Sequence, residues 1–184
     1  MIASCRSLPV LTVLASLACT SADGDRPTDA EGFGQRYRFA NNEVTGWTQG
    51  SSALAYSVWT DANLTGKIDG AAPVYVDRGC KLAMYQDLLG PDPQICTVVA
   101  MDFVTDPQAT AMFEYQKESA GDSVFVPGYD ESVAFGYPSL TGATVYAHVK
   151  AYYFELQMDG YPDQDSAGAA AAPLLRVLES KASK

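Results

Sequence analysis

The stretch Ile95-Cys96-Thr97-Val98-Val99-Ala100-Met101-Asp102-Phe103-Val104 decides how this chain folds. β-branched and apolar side chains dominate it, and Pro93 and Pro107 bound it, so it predicts a strand. Upstream, Gly90-Pro91-Asp92-Pro93 is a turn, and residues 80–88 before it supply the partner for a hairpin. Downstream, Asp106 and Pro107 open a helix as N-cap and first helical residue. Its narrow face is Ala109, Met112, Phe113 and Gln116, and Gly121 closes it.

Outward from that core, Thr144–Met158 is too long for one strand and reads as two, broken near Lys150-Ala151. Phe154, Leu156 and Met158 alternate with Glu155, Gln157 and Asp159, the pattern of a half-buried strand. Ser132–Phe135 is a short strand before Pro138. From Gln164 an Ala-rich helix follows, capped in the region Asp163–Ser166, with Leu174, Leu175, Val177 and Leu178 as its buried face. Pro173 inside it predicts a kink or a split. Ahead of the hairpin, Ala53–Trp59 is apolar without a decisive period. Asp61 then caps a short helix over Ala62–Ile68, and a further helical turn or two runs from Ala71 to Arg78, ended by Gly79. Adjacent strand pairs with interspersed helices predict one α+β domain over residues 38–181, an antiparallel sheet with helices packed on one face.

The N-terminus carries a different message. Met1–Ala18 holds one positive charge, Arg6, then an apolar run from Leu8 to Ala18, too short to span a bilayer. A small residue, Ala18, directly precedes Cys19. This is a lipoprotein-type signal peptide over 1–18 with Cys19 as the lipid attachment site, although Ser16 stands where Leu is usual. Residues 19–37 read as a flexible tether, rich in Ser, Asp, Gly, Pro and Thr up to about Gln35. Thr20 is not the Asp that commonly retains lipoproteins in the inner membrane of enteric bacteria. The expected location is therefore the cell envelope, outer membrane before inner, with a secreted or periplasmic soluble protein as the alternative.

Composition narrows the partners. Apolar residues make up 47% and charged residues 18%, as in a folded globular protein. The net charge is -10, from 12 basic against 22 acidic residues. The densest basic stretch is Arg36-Tyr37-Arg38, so no cationic face exists to displace counterions from nucleic acid. Cys5 leaves with the signal and Cys19 carries the lipid, which leaves Cys80 and Cys96. An oxidising compartment favours a disulfide between them. The hairpin register instead sets them about 20 Å apart, as two buried thiols. Both readings stand at this point.

One block is more specific. Ile68-Asp69-Gly70-Ala71-Ala72, then Tyr75 and Gly79, resembles the hallmark of an uncharacterised family of secreted bacterial domains of unknown function. That hallmark is Ile-(Asp or Asn)-Gly-Gly-Ala, a Tyr three residues on and a Gly four beyond it. Ala71 replaces the second Gly, and Pro73 departs from the commoner acidic continuation. Gly46-Trp47, Asn63-Leu64, Tyr85, Asp102-Phe103, Asp106-Pro107 to Phe113, and Tyr152-Tyr153-Phe154 are similar to its flanking features, over roughly Phe39–Leu178. The resemblance implies the fold and export, and it brings no catalytic role.

Candidate chemistry is thin. Asp61, Asn63, Thr65, Gly66, Ile68 and Asp69 follow the spacing of a calcium loop, but Ala72 stands where the bidentate acid belongs. The block is better explained by Asp69 capping the turn that follows and Gly70 packing closely. His148 is the only histidine, with neither a ligand-spaced cluster nor a nucleophile elbow to serve it, so an edge or surface position is expected. No catalytic residue, metal or cofactor is assigned. Among the acids Asp69, Asp102, Glu114, Asp130, Glu131 and Glu155, the first two are the carboxylates to inspect for an envelope hydrolase. Of eleven tyrosines, Tyr146, Tyr152 and Tyr153 are the candidate binding surface. The expected role is a non-enzymatic, lipid-anchored module that binds an envelope protein or a small ligand.

Overall fold

The computed structural model describes residues 26–184 apart from 53, 92, 122 and 123, so the leader and Cys19 lie outside the described residues. In chain order come α1 (Ala30–Tyr37), β1 (Thr48–Gln49), β2 (Tyr56–Thr60), α2 (Thr65–Ile68), a 3₁₀ turn (Asp69–Ala71) and α3 (Ala72–Val76). There follow β3 (Leu82–Leu89), β4 (Ile95–Asp102), α4 (Asp106–Ala120), β5 (Ala134–Ser139), β6 (Gly142–Val149), β7 (Tyr152–Asp159) and α5 (Gln164–Ala182). The strands make one seven-stranded antiparallel sheet in the order β1-β3-β4-β7-β6-β5, with β2 also paired to β3.

The expected hairpin is β3–β4, with Leu89 opposite Ile95 and Leu82 opposite Asp102. The expected break in the late aromatic stretch is the β6–β7 turn, where Lys150 takes φ 52. Pro138 sits in β5, which is tolerable because β5 is an edge strand. The N-cap of α4 is Thr105, one residue before the position expected.

An antiparallel α+β domain is what the chain forms, but its helices take both faces of the sheet rather than one. Met84, Leu88, Val98, Ala100, Phe154 and Leu156 pack with α1 and α5 on one face. Ala83, Tyr85, Val99, Met101 and Tyr153 pack with Leu64, Ala72 and α4 on the other. Central strands buried on both sides lose their alternation and read as continuous apolar runs, which explains the run Val98–Met101.

Two boundaries change. The tether ends earlier than residue 37, because residues 30–37 are α1, with Asp29 accepting from the Gly32 N–H as its N-cap. Phe33 and Tyr37, one helical turn apart, are fully buried in the core. Gly34 lets α1 press on β2, since a Cβ there would meet the Tyr56 hydroxyl and Val58. Helix α5 also runs unbroken through Pro173. Pro173 has no N–H to offer the carbonyl four residues back, and that residue, Ala169, lies on the exposed face of the helix. The N-cap of α5 is Asp163, accepting from the Ser166 N–H at 2.7 Å, within the region expected.

Cys80 and Cys96 are both free and both buried. Cys80 belongs to the cluster under α4, Cys96 to the cluster under α5. The sheet stands between them, which removes the disulfide alternative.

Candidate functional site: the uncovered half of the sheet

On the α4 side, the sheet is clothed over only part of its length. The cross-strand row Tyr85–Val99–Glu155–Tyr146–Phe135 is the last one beneath the helices. One step further, Asp87–Thr97–Gln157–Thr144–Tyr137 form a row in which Gln157 and Tyr137 are exposed and the others half-buried. Beyond it lie Leu89, Ile95, Asp159 and Ser139, all exposed. Successive strand residues point to opposite faces. Cys96, Leu88 and Met158 therefore stay buried on the α5 side while their neighbours meet water. The result is a surface of hydroxyl, amide and carboxylate groups edged by Leu89, Ile95 and the Tyr137 ring. Thr97 Oγ1 donates to Asp87 at 2.8 Å, and the Thr141 hydroxyl donates to Asp159.

Where the helices stop, a buried acid marks the border. Glu155 is 6% exposed, and its Oε1 accepts from Tyr75 at 2.9 Å and from Tyr153 at 3.0 Å. Gln116 of α4 reaches the Tyr75 hydroxyl at 3.5 Å. Burial raises the Glu155 carboxyl above its usual range, and the two tyrosine hydrogen bonds oppose that rise without cancelling it. Burial likewise raises Tyr75, Tyr85, Tyr146 and Tyr153, with Glu155 adding to each. Lys67 places its ammonium 4.9 Å from the centre of the Tyr85 ring. The alternation along β7 reads Glu155 as outward and solvated, like Gln157 and Asp159. The missing signal is the reach of α3 and α4, which cover the first of the three and leave the others.

The residues singled out from sequence separate. Tyr152 and Tyr153 point to opposite faces, with Tyr152 packed on Tyr37 at 5.2 Å and Tyr153 fully buried. Tyr146 is half-buried, stacked on Tyr153 at 6.4 Å. These three are core and border residues, so they do not form the aromatic binding surface expected. Tyr137, in the open row, is the exposed ring on that side.

The block 68–79 forms the helical cover of the same face. Ile68 is partly buried and Ala72 fully so, and Tyr75 delivers the hydroxyl to Glu155. Asp69 does not cap. Its side chain is exposed and makes no capping bond, while its backbone takes φ 45, a conformation that residues with a Cβ rarely adopt. Gly70 does not pack closely either, since a Cβ there would have nothing within 4 Å, and Ala71 is exposed. Gly79 is required, with φ +100 and Gln108 lying where a Cβ would go.

The two carboxylates proposed for hydrolysis do not meet. Asp69 belongs to the α4-side cover, whereas Asp102 contacts Arg26, which lies over Tyr152 of the α5-side cluster. Arg26 Nε donates to Asp102 Oδ2 at 3.1 Å, its Nη2 pairs with Oδ1, and its Nη1 donates to the Val104 carbonyl. Asp61 pairs with Lys81 at 2.6 Å, which holds its carboxyl below the usual range. His148 is half-buried, with Nε2 3.1 Å from the Ser132 carbonyl and its ring on Phe113. Among the described residues no group of three or more His, Cys, Asp or Glu is arranged to hold a metal.

No protein-family model and no curated protein matches this sequence. Among solved structures, the chain is similar to the extracellular domain of PknH from Mycobacterium tuberculosis, with a TM-score of 0.53 and 12% identity. The match covers 88% of this chain and 100% of that one. The likeness is one of fold. No helix among the described residues is long and apolar enough to cross a membrane.

Proposed function

We propose that this chain is an exported module of the bacterial envelope, held to the membrane by lipid on Cys19, that binds a partner or small ligand without turning it over. The observation that carries the binding role is the open half of a sheet otherwise clothed on both faces. Exposed sheet bearing Thr97, Thr144, Gln157, Asp159 and the Tyr137 ring offers hydrogen bonds and an aromatic edge together. Support for export comes from the leader and from sharing a fold with an extracellular domain. Thr20 after the acylated cysteine favours the outer membrane.

Metabolic labelling with a palmitate analogue tests the anchor. The label is expected on wild-type protein in the membrane fraction and absent from Cys19→Ser; equal labelling of both overturns it. Amide spectra of the protein titrated with solubilised envelope material test the face. Changes are expected to concentrate at Thr97, Thr144 and Gln157 and to vanish in Gln157→Lys; changes confined to the α1–α5 side overturn the assignment.

A further inference from the structure

We infer that the lipid-anchored molecule stands on the bilayer by the end of the sheet that carries Asp102, so that the open half of the sheet is held away from the headgroups. The inference rests on the anchor at Cys19. Arg26 is bound to Asp102 and to the Val104 carbonyl, and its guanidinium lies 5.7 Å from the centre of the Tyr152 ring. The chain therefore leaves the domain at a defined point. Asp102 is opposite Leu82 and Tyr152, and the β6–β7 turn at Lys150 lies at this same end. Cys19 precedes Arg26 by seven residues. Whatever path they follow, seven residues span at most about 25 Å.

The opposite end is the open one, with Leu89, Ile95, Asp159 and Ser139. Strands of eight residues separate the two ends by roughly 24 Å. With the Asp102 end toward the bilayer, the seven residues have slack. With the molecule inverted, they must be fully extended merely to reach.

Charge acts in the same direction. The described residues of the stretches 87–97, 137–144 and 157–165, which build the open end, include four aspartates and neither Lys nor Arg. At the Arg26 end, Lys81, Lys150 and Lys184 offset the acids. An anionic headgroup layer repels the first end more than the second. A partner of the open face therefore approaches from the aqueous side.

The test uses the full acylated chain in vesicles of phosphatidylethanolamine and phosphatidylglycerol containing a headgroup-linked quencher. A fluorophore is placed at Ala62→Cys, near the Asp102 end, or at Ser139→Cys, at the open end; Cys80 and Cys96 are buried and do not compete. Quenching is expected to be several-fold stronger at position 62, and the difference is expected to collapse when a long Gly-Ser segment is inserted before Arg26. Equal quenching at both positions, or stronger quenching at 139, overturns the orientation. A difference undiminished by the insertion overturns the short connection as its cause. Protein that fails to float with the vesicles, as Cys19→Ser must, overturns the anchor itself and the orientation with it.

Discussion

Glu155 is held out of water by α3 and α4 with two tyrosine hydroxyls on one oxygen, and its carboxyl is raised by burial. The unfolded chain has Glu155 in its ordinary range, so this group stabilises the fold when protonated. That contribution is whole below about pH 4.3 and is lost as pH rises through the higher folded value. Glu155→Gln keeps an acceptor for Tyr75 and Tyr153 and removes the charge. The variant is expected to match or exceed wild-type stability at pH 7 by about 1 kcal/mol, and to lose stability less between pH 4 and 7, by denaturation at each pH. A variant less stable than wild type at pH 7 with an unchanged pH slope would show that the charge is well compensated where it sits. The burial of Glu155 was invisible in the sequence for a simple reason: alternation assigns a face, and what lies across that face comes from elements far along the chain.

At the level of elements, the strands and the short helices between Asp61 and Gly79 were legible, and α1 was not. The hairpin β3–β4 and the pair β6–β7 carry long apolar runs, and β-branched content fixes their type. The helix α1 hides behind Gly32, Gly34 and the charged residues around them, with only Phe33 and Tyr37 as anchors. Two apolar residues one turn apart are too few for a periodic signal, yet enough for packing. Phe33, fully buried, has its ring 4.8 Å from Tyr37 and 6.4 Å from Tyr152. Phe33→Ala is expected to cost about 3 to 5 kcal/mol in urea denaturation. A cost below about 1 kcal/mol would return these residues to the tether. The block around Asp69 shows the converse error: a recognisable motif invited a capping role, while its part in the fold is to carry Tyr75 across to Glu155.

For the molecule as a whole, the fold class followed from strand pairing, but the layering did not. Continuous burial in β4 and β7 was there to be read as cover on both faces; the alternation at the end of β7 argued for one. Both signals are true of different halves of the same strands, and the boundary between them is the border of the candidate site. The site was therefore encoded as a change of pattern within a strand, which no single residue announces.

The separation of Cys80 from Cys96 by the full thickness of the sheet has a kinetic consequence. Burial pushes the Cys80 thiol up to about 12 and raises Cys96 as well, so neither is a ready nucleophile once the protein is native. Before the sheet closes, both are ordinary thiols on one unfolded polypeptide, and an oxidising environment can couple them. That bond is incompatible with the native pairing of β3 and β4, so a cross-linked chain must be reduced before it can mature. In any oxidising compartment, yield is thus a race between strand assembly and oxidation, won by the side that acts first.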